Sequence, residues 1–143
     1  MTRNKNWLAT LFAVGLLGGA AAISAPGPTI AKQEGPAPAA VAGITSSQLK
    51  EALKRKHFFL VNVHVPYEGE IERTDAFIAY DKIPENLRRL PKDKNAEIVV
   101  YCRTGRMSAL AARELRDRGY KRVFELKGGM NDWARSGYPI IKK

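Results

Sequence analysis

Residues 98–108 read IVVYCRTGRMS, an apolar run that leads into a cysteine and a polar turn. The run at 98–101 carries no charge and does not alternate with polar residues, which is typical of a strand buried on both faces of a parallel sheet. Ligands of open parallel sheets bind beyond the carboxyl ends of the strands, and Cys102 stands at such an end. The stretch therefore predicts an α/β fold with its candidate site at Cys102.

Strand and helix patterns alternate before and after this stretch. Apolar runs predict three further strands, at 58–63, 77–80 and 123–126. Thr45 and Gln48 form a capping box that predicts a helix at 46–56, and Pro84 fits the first turn of a second helix that Pro91 ends. These elements extend the α/β pattern on both sides of Cys102.

Two more helices are predicted after Cys102. The segment 105–118 has an apolar stripe on one face, formed by Met107, Leu110, Ala111 and Leu115. A short helix after Gly129 carries Trp133, and we interpret Trp133 and Tyr138 as packing residues rather than ligand contacts. Strands that alternate with helices indicate a mainly parallel central sheet with helices on both faces.

The first 25 residues have the features of a secretory signal. Arg3 and Lys5 precede an uncharged run at 7–23, and small residues follow it before Pro26. The alternative is an uncleaved membrane anchor, because the run is close to the roughly 20 residues of a spanning helix. In both cases the folded part is expected outside the cytoplasm, periplasmic or secreted.

Residues 26–43 predict a flexible tether between the signal and the folded domain. They hold four of the eight prolines and show no apolar periodicity. The folded domain is accordingly predicted at 44–143.

The charge pattern bears on the class of partner. The chain has 24 Lys and Arg against 14 Asp and Glu, and loss of residues 1–25 would lower the formal net charge from +10 to +8. The basic residues are interleaved with acids and lack an aromatic ladder, which disfavours nucleic-acid binding, while the excess charge attracts small anions. The two histidines have no cysteine nearby, so no zinc site is predicted, and His57 is interpreted as a surface residue.

Cys102 is the only cysteine of the chain. An unpaired thiol in an exported protein is a liability unless it is buried or used. The turn after it contains Arg103, Gly105 and Arg106 and leads into the amino end of a helix, and these charges and free N–H groups favour a thiolate. The pattern predicts a nucleophile in an anion-binding turn. A sulfur packed among aliphatic side chains, with the turn facing away, would contradict it.

Two motifs resemble those of one protein family. Residues 100–109, VYCRTGRMSA, are similar to the active-site loop of single-domain rhodaneses. Residues 126–130, LKGGM, resemble the carboxyl-terminal signature of that family together with Trp133, Gly137, Tyr138 and Pro139. The similarity extends from about residue 44 to residue 140. It implies a rhodanese-like fold and a thiosulfate-type sulfurtransferase that moves sulfane sulfur through a persulfide of Cys102.

The resemblance also implies roles for the loop and a set of partners. Cys102 takes sulfur from thiosulfate or a similar anionic donor, and a thiol or cyanide removes it. The implied substrate-binding residues are Arg103, Thr104, Gly105, Arg106, Met107 and Ser108. The resemblance implies no metal and no organic cofactor, and we expect a monomer that contacts a membrane only if the signal is uncleaved.

Several positions depart from related patterns. Cysteine phosphatases require an arginine six positions after the nucleophile, where this chain has Ser108. Rhodaneses usually have an Asp and an Arg at the end of the first central strand, where this chain has Asn62 and His64. His64 is therefore a possible accessory site residue, or it makes a structural hydrogen bond that replaces the missing arginine. The segment 66–81 also departs from the family pattern, which leaves the acceptor open.

A second function from another class agrees with the sequence. The domain would then bind persulfide sulfur and deliver it to a partner protein, without turnover on free thiosulfate. The tether and the unusual segment 66–81 favour such a docked acceptor, whereas the basic loop favours a small anionic donor.

Overall fold

The computed structural model describes residues 41–143, so the predicted signal and the predicted tether up to residue 40 lie outside the described residues. The strands are, in chain order, Ala42–Ile44 (β1), Phe59–Asn62 (β2), Glu70–Ile71 (β3), Ala76–Phe77 (β4), Glu97–Tyr101 (β5), Arg122–Leu126 (β6) and Ile140–Ile141 (β7). The helices are Ser46–Lys54 (α1), Arg106–Asp117 (α2) and Gly129–Arg135 (α3). Two 3₁₀ segments, Tyr80–Lys82 and Pro84–Arg89, precede β5.

Five of the strands form one parallel sheet in the order β1, β6, β5, β2, β4. The mainly parallel α/β sheet predicted from the sequence is therefore confirmed. Strand β1 begins at Ala42 and pairs with β6 along the sheet edge, so the sheet includes two residues that the sequence analysis placed in the tether. A three-residue edge strand has no apolar pattern of its own and forms because β6 offers it a partner.

The central strands separate two hydrophobic cores. On β5, Ile98 and Val100 face one core and Val99 and Tyr101 face the other. Helix α2 and the 3₁₀ segments cover the first core, and α1 and α3 cover the second. Burial on both faces explains why the strand sequence is a continuous apolar run rather than an alternating one. Helices on both faces were predicted, and this prediction is confirmed.

Helix α1 begins at the predicted capping box. Thr45 accepts a hydrogen bond from the Gln48 N–H, and the Gln48 side chain accepts one from the Thr45 N–H. Trp133 is fully buried, its Nε1 donates to Pro139 O at 3.0 Å, and its ring packs against Tyr138. Both aromatic residues therefore pack as the sequence analysis predicted.

Three local predictions were wrong. Leu110 is 52% exposed, because the buried face of α2 is centred on Ala111 and Leu115 and Leu110 projects well to one side of it. The strand predicted at 77–80 ends at Phe77, since the parallel register with β2 pairs Val61 with Ala76 and Asn62 with Phe77 and goes no further. The helix expected from Pro84 is a 3₁₀ segment with a kink at Asn86.

Residues 63–75, which connect β2 to β4, form what we call the rim loop. Its short strand β3 pairs antiparallel with β7 from the carboxyl-terminal part of the chain. The buried Tyr101 hydroxyl anchors it further, accepting from Ile71 N at 3.0 Å and lying 2.7 Å from Thr74 Oγ1. Burial raises the pKa of Tyr101, so the hydroxyl stays protonated. The strand that carries the nucleophile thus also holds the rim loop in place.

Candidate active site

Cys102 directly follows β5, at the carboxyl edge of the sheet. The Val63 N–H donates to Tyr101 O at 2.8 Å, which extends the pairing of β2 and β5 up to the cysteine. Cys102 is only 1% exposed and packs in the core that contains Val63 and Ala111. The sulfur is therefore as buried as a structural cysteine, and the turn that follows decides its chemical character.

That turn faces the sulfur. Residues 102–108 form what we call the sulfur cradle, in which the Gly105 N–H donates to Cys102 Sγ at 3.0 Å. Ser108 is fully buried; its hydroxyl donates to Gly105 O at 2.9 Å and lies 3.6 Å from Sγ. Gly105 has φ of +107°, a conformation that side-chain-bearing residues rarely adopt. The combination that would have contradicted a nucleophile, a buried sulfur with the turn facing away, is therefore not found.

Helix α2 begins at Arg106, immediately after the turn. No side chain caps its amino end, so the partial positive charge of the first-turn N–H groups lies beside the cradle. Gly105 N–H is the main-chain group in hydrogen-bond contact with the sulfur, and the helix start lies behind it. Both features stabilise negative charge on sulfur.

A close backbone contact supports the cradle from the other side. The Met130 N–H donates to Cys102 O at 2.9 Å, and the Asn131 N–H donates to Arg103 O at 3.0 Å. A Cβ added to Gly129 would lie 2.3 Å from Cys102 O, so only glycine fits there. The sequence analysis used this glycine as the start of a short helix and as part of a resemblance, and the structure shows that it lets α3 approach the cradle.

The side chains of the remaining predicted site residues differ in their contacts and in their exposure. Arg103 turns toward the rim loop, where its Nη1 donates to both carboxylate oxygens of Glu68 at 3.0 and 3.1 Å. Thr104 and Arg106 are exposed residues of the cradle. The Met107 side chain packs against the core under α2. The Met107 side chain is only partly buried there, and its place in the substrate site stays a prediction.

His64 is 7% exposed and lies in the rim loop, just beyond β2. Its ring nitrogen Nε2 is 2.7 Å from Glu68 Oε2. Its backbone N–H donates to Asn62 Oδ1 at 3.0 Å. Asn62 in turn donates from Nδ2 to Gly69 O at 2.9 Å. Asn62 and His64 thus form hydrogen bonds at the start of the rim loop, and the accessory role of His64 in the site stays a prediction.

Glu68, which the sequence analysis did not assign to the site, contacts two of the predicted site residues, His64 and Arg103. The hydrogen bond with His64 lowers the pKa of its carboxyl group, and the charge of Arg103 lowers it further, so it is ionised at neutral pH. His64, Glu68 and Arg103 therefore form a hydrogen-bonded chain from the end of β2 to the residue after the nucleophile. The spacing of His64 and Glu68 in an irregular loop carries no periodic signal that would have revealed this contact.

A cavity of about 490 Å³ lies beside Arg103, between the rim loop, α3 and β7. Its apolar wall includes Tyr67, Met130 and Ile140, and its charged groups are Glu68, Arg103 and Lys142. The Tyr67 ring stands edge to face against Phe77, with ring centroids 5.4 Å apart, which fixes this wall. The cavity is large for an inorganic anion and has the size of sites for organic ligands.

Two further findings concern residues 41–143 alone. Within this part of the chain, no three His, Cys, Asp or Glu side chains are grouped as metal ligands would be. No helix there is long and apolar enough to cross a bilayer. His57 lies at the surface, as predicted, with its Nε2 2.8 Å from Glu97 Oε2.

Comparisons with known proteins agree with this geometry. A family model described as "Rhodanese-like domain" matches residues 45–136. A protein of Allochromatium vinosum named "Sulfurtransferase" is 40% identical over 80 residues, which are 48% of this chain and 73% of that protein. The crystal structure of a rhodanese-like domain protein from Staphylococcus aureus is 30% identical, with a TM-score of 0.61 over 72% of this chain and all of that one.

A third relative has a different role in its name. The "Putative sulfur carrier protein YrkF" of Bacillus subtilis is 34% identical over 72 residues, which are 50% of this chain and 31% of that protein. The chain spans less than two thirds of the length of several curated relatives that it matches.

Proposed function

This chain belongs to the family of rhodanese-like domains, and we propose that it is an exported sulfurtransferase that carries sulfane sulfur as a persulfide on Cys102. The observation that carries the proposal is the 3.0 Å hydrogen bond from the Gly105 N–H to Cys102 Sγ. A hydrogen bond to sulfur from a preorganised turn stabilises negative charge on the attacking atom of a nucleophilic cysteine. The same N–H lies 3.0 Å from the sulfur that carries the negative charge before loading and regains it when the persulfide is unloaded.

The first half-reaction loads the cysteine. The Cys102 thiolate attacks the sulfane sulfur of an anionic donor such as thiosulfate, a bond forms between the two sulfur atoms, and the S–S bond of the donor breaks. Sulfite leaves with the electron pair, and the negative charge resides on the outer sulfur of the Cys102 persulfide. Exposed Arg106, next to Gly105, and the uncapped start of α2 draw the anionic donor toward the cradle.

The second half-reaction unloads it. Cyanide or a thiolate attacks the outer sulfur, the S–S bond of the persulfide breaks, and the electron pair returns to Cys102. No metal or redox cofactor is needed, because each step exchanges one sulfur bond for another. Division into two displacements replaces one direct transfer by two easier steps.

The test is a mass measurement on the intact protein. Incubation with thiosulfate is expected to add the mass of one sulfur atom, which cyanide removes as thiocyanate. Cys102→Ser is expected to abolish the gain, and Ser108→Ala provides a comparison that keeps the nucleophile. A wild-type protein that gains no sulfur from any small donor would contradict the proposal.

Delivery to a partner protein is the second candidate. It is favoured by the similarity to a putative sulfur carrier protein and by the organic-sized cavity beside the cradle. If Cys102 is loaded by a persulfidated protein and not by thiosulfate, delivery to a partner protein is supported over transfer from a small donor.

The place of action is part of the proposal. The basic start, the uncharged run at 7–23 and the small residues before Pro26 support export to the periplasm or beyond. Fractionation of cells that produce the full chain, with the amino terminus of the exported protein sequenced, tests both export and cleavage. Full-length protein in the cytoplasm would contradict export.

A further inference from the structure

One residue that lines the cavity, Arg103, is the neighbour of the nucleophile in the chain. Arg103 forms part of the cavity wall and follows Cys102 in the chain, so their Cα atoms are about 3.8 Å apart. Met130 and Asn131 line the same cavity, and their N–H groups hold the carbonyls of Cys102 and Arg103. The cavity therefore adjoins the sulfur cradle through Arg103 and through the two α3 residues that bond its backbone.

The size and walls of the cavity do not match an inorganic donor. Its volume of about 490 Å³ falls within the range of roughly 300 to 1,000 Å³ found for organic ligands. The Tyr67 ring, Met130 and Ile140 provide apolar surface that thiosulfate and cyanide cannot use. These walls favour a compound with an organic group.

The charges of the cavity favour a single negative charge. The Glu68 carboxylate is held between His64 and Arg103, so it compensates the charge of the guanidinium. Lys142 adds a second cation to the same cavity. With Glu68 ionised, these three charged side chains leave one net positive charge, which complements a monoanion.

We propose that this cavity binds the organic group of a monoanionic sulfane-sulfur donor, and that Glu68 sets the preference for one negative charge over two. The inference rests on the proposed function and deepens it by naming the class of donor. With an organic thiosulfonate as the probe, the Cys102 thiolate attacks the sulfane sulfur. The bond between the two donor sulfur atoms breaks, and an organic sulfinate leaves with the electron pair.

Glu68→Gln tests the charge preference. The glutamine keeps an acceptor for His64 and Arg103 but removes one negative charge, which is expected to speed sulfur loading by anionic donors. Since the Coulomb energy is proportional to the donor charge, the gain for thiosulfate is expected to be the square of the gain for methanethiosulfonate. Both gains are expected to shrink as salt is added. The quantity to measure is the second-order rate constant for loading of Cys102.

Glu51→Gln is the matched control. Its side chain is 72% exposed on α1 and removes the same charge from the protein outside the cavity. It is expected to leave loading by both donors unchanged. If Glu68→Gln changes the loading rate constants for both donors by the same factor, or changes neither of them, the proposed charge preference is contradicted.

Ala134→Phe tests the organic group. Ala134 is exposed and lines the cavity, so a phenyl ring at this position fills part of it. The ratio of loading rates for benzenethiosulfonate over methanethiosulfonate is expected to fall by on the order of tenfold. Ser136→Phe, at an exposed position just after α3 that does not line the cavity, is expected to keep the wild-type ratio.

The outcomes separate the two proposals. An unchanged ratio in Ala134→Phe would contradict the assignment of the cavity while leaving the sulfurtransferase proposal intact. A wild-type protein that loads sulfur from none of the three probes would instead contradict the sulfurtransferase proposal.

Discussion

Two loops leave the same edge of the sheet, and they are built in different ways. The sulfur cradle follows β5 and is shaped by main-chain groups, with the Gly105 N–H on the sulfur and the α3 N–H groups on its carbonyls. The rim loop follows β2 and is shaped by side chains, from Asn62 through His64 and Glu68 to Arg103. The two loops meet at Arg103, which belongs to the cradle by sequence and to the rim by its contacts.

This difference suggests that the cradle carries out the reaction and that the rim loop selects the donor. Main-chain N–H groups contact the reacting atom and do not depend on which side chains surround them, so the cradle can serve the same reaction with different donors. The Glu68–Arg103 pair at the exposed end of the rim is a weak interaction that can be exchanged at little cost in stability. We therefore expect changes in the cradle to alter the rate of sulfur loading, and changes in the rim to alter the choice of donor.

The largest effect is expected in the cradle. Gly105→Ala places a side chain at φ of +107°, which we expect to cost about 1 to 2 kcal/mol of stability and to turn the N–H away from the sulfur. Sulfur loading, followed by intact mass, should fall by at least about tenfold, because one preorganised donor to the charged atom is lost.

Gly119→Ala is the control for this change. Gly119 has φ of +90°, and no heavy atom lies within 4 Å of an added Cβ, so it carries the same kind of strain at the far end of α2. The role given to the cradle is supported if the two variants unfold at similar denaturant concentrations while only Gly119→Ala keeps normal sulfur loading. Equal loading in the two variants would refute the role given to Gly105.

An intermediate effect is expected where the cradle strand anchors the rim. Tyr101→Phe removes the acceptor of the Ile71 N–H and leaves that buried group unpaired, at a cost of about 1 to 3 kcal/mol. Tyr120→Phe removes a comparable hydrogen bond, to Pro91 O at 2.8 Å, away from the site.

Both tyrosine variants should unfold at lower denaturant concentration. Only Tyr101→Phe should accelerate amide hydrogen exchange in residues 66–75, since only it releases the rim loop. Unchanged exchange there would mean that β3 and β7 hold the loop without the hydroxyl.

The smallest effect is a dependence of stability on pH. The hydrogen bond with His64, together with the charge of Arg103, lowers the pKa of Glu68 below its ordinary value of 4.5 in the folded state. The unfolded chain therefore binds this proton first as the pH falls, and the stability due to ionised Glu68 is complete above pH 4.5 and disappears through the lowered folded pKa.

The measurement is the difference in denaturant midpoint between wild type and Glu68→Gln, followed from neutral pH to below 4.5. The difference should narrow on acidification, and it should be small throughout because the pair is exposed. A difference that widens as the pH falls would show that the carboxylate is not stabilised in the fold.

The sulfur cradle could be predicted because its determinants are local. The apolar run that becomes β5, the cysteine at its end and the glycine three residues later are adjacent in the sequence, and each has one dominant structural interpretation. The same holds for the capping box at Thr45 and Gln48, which starts α1 at the predicted residue. The contact of Arg103 with Glu68 could not be predicted, because Glu68 lies 35 residues earlier in the chain.

The rim could not be predicted because its contacts join distant parts of the chain. Strand β3 has two residues and pairs with β7 about 70 positions later, so neither has a periodic pattern. Tyr101 was interpreted only as part of a buried strand, although its hydroxyl holds Ile71 and Thr74. Pairing of this kind is set by tertiary structure rather than by local preference.

The rim loop begins and ends on neighbouring strands, since Val61 pairs with Ala76 and Asn62 with Phe77. Its length can change without displacing the sheet, because the two points of attachment are fixed to each other by that pairing. The loop is in this sense an exchangeable module. A rim loop transplanted from another family member between residues 62 and 76 should bring its own donor preference to an unaltered nucleophile.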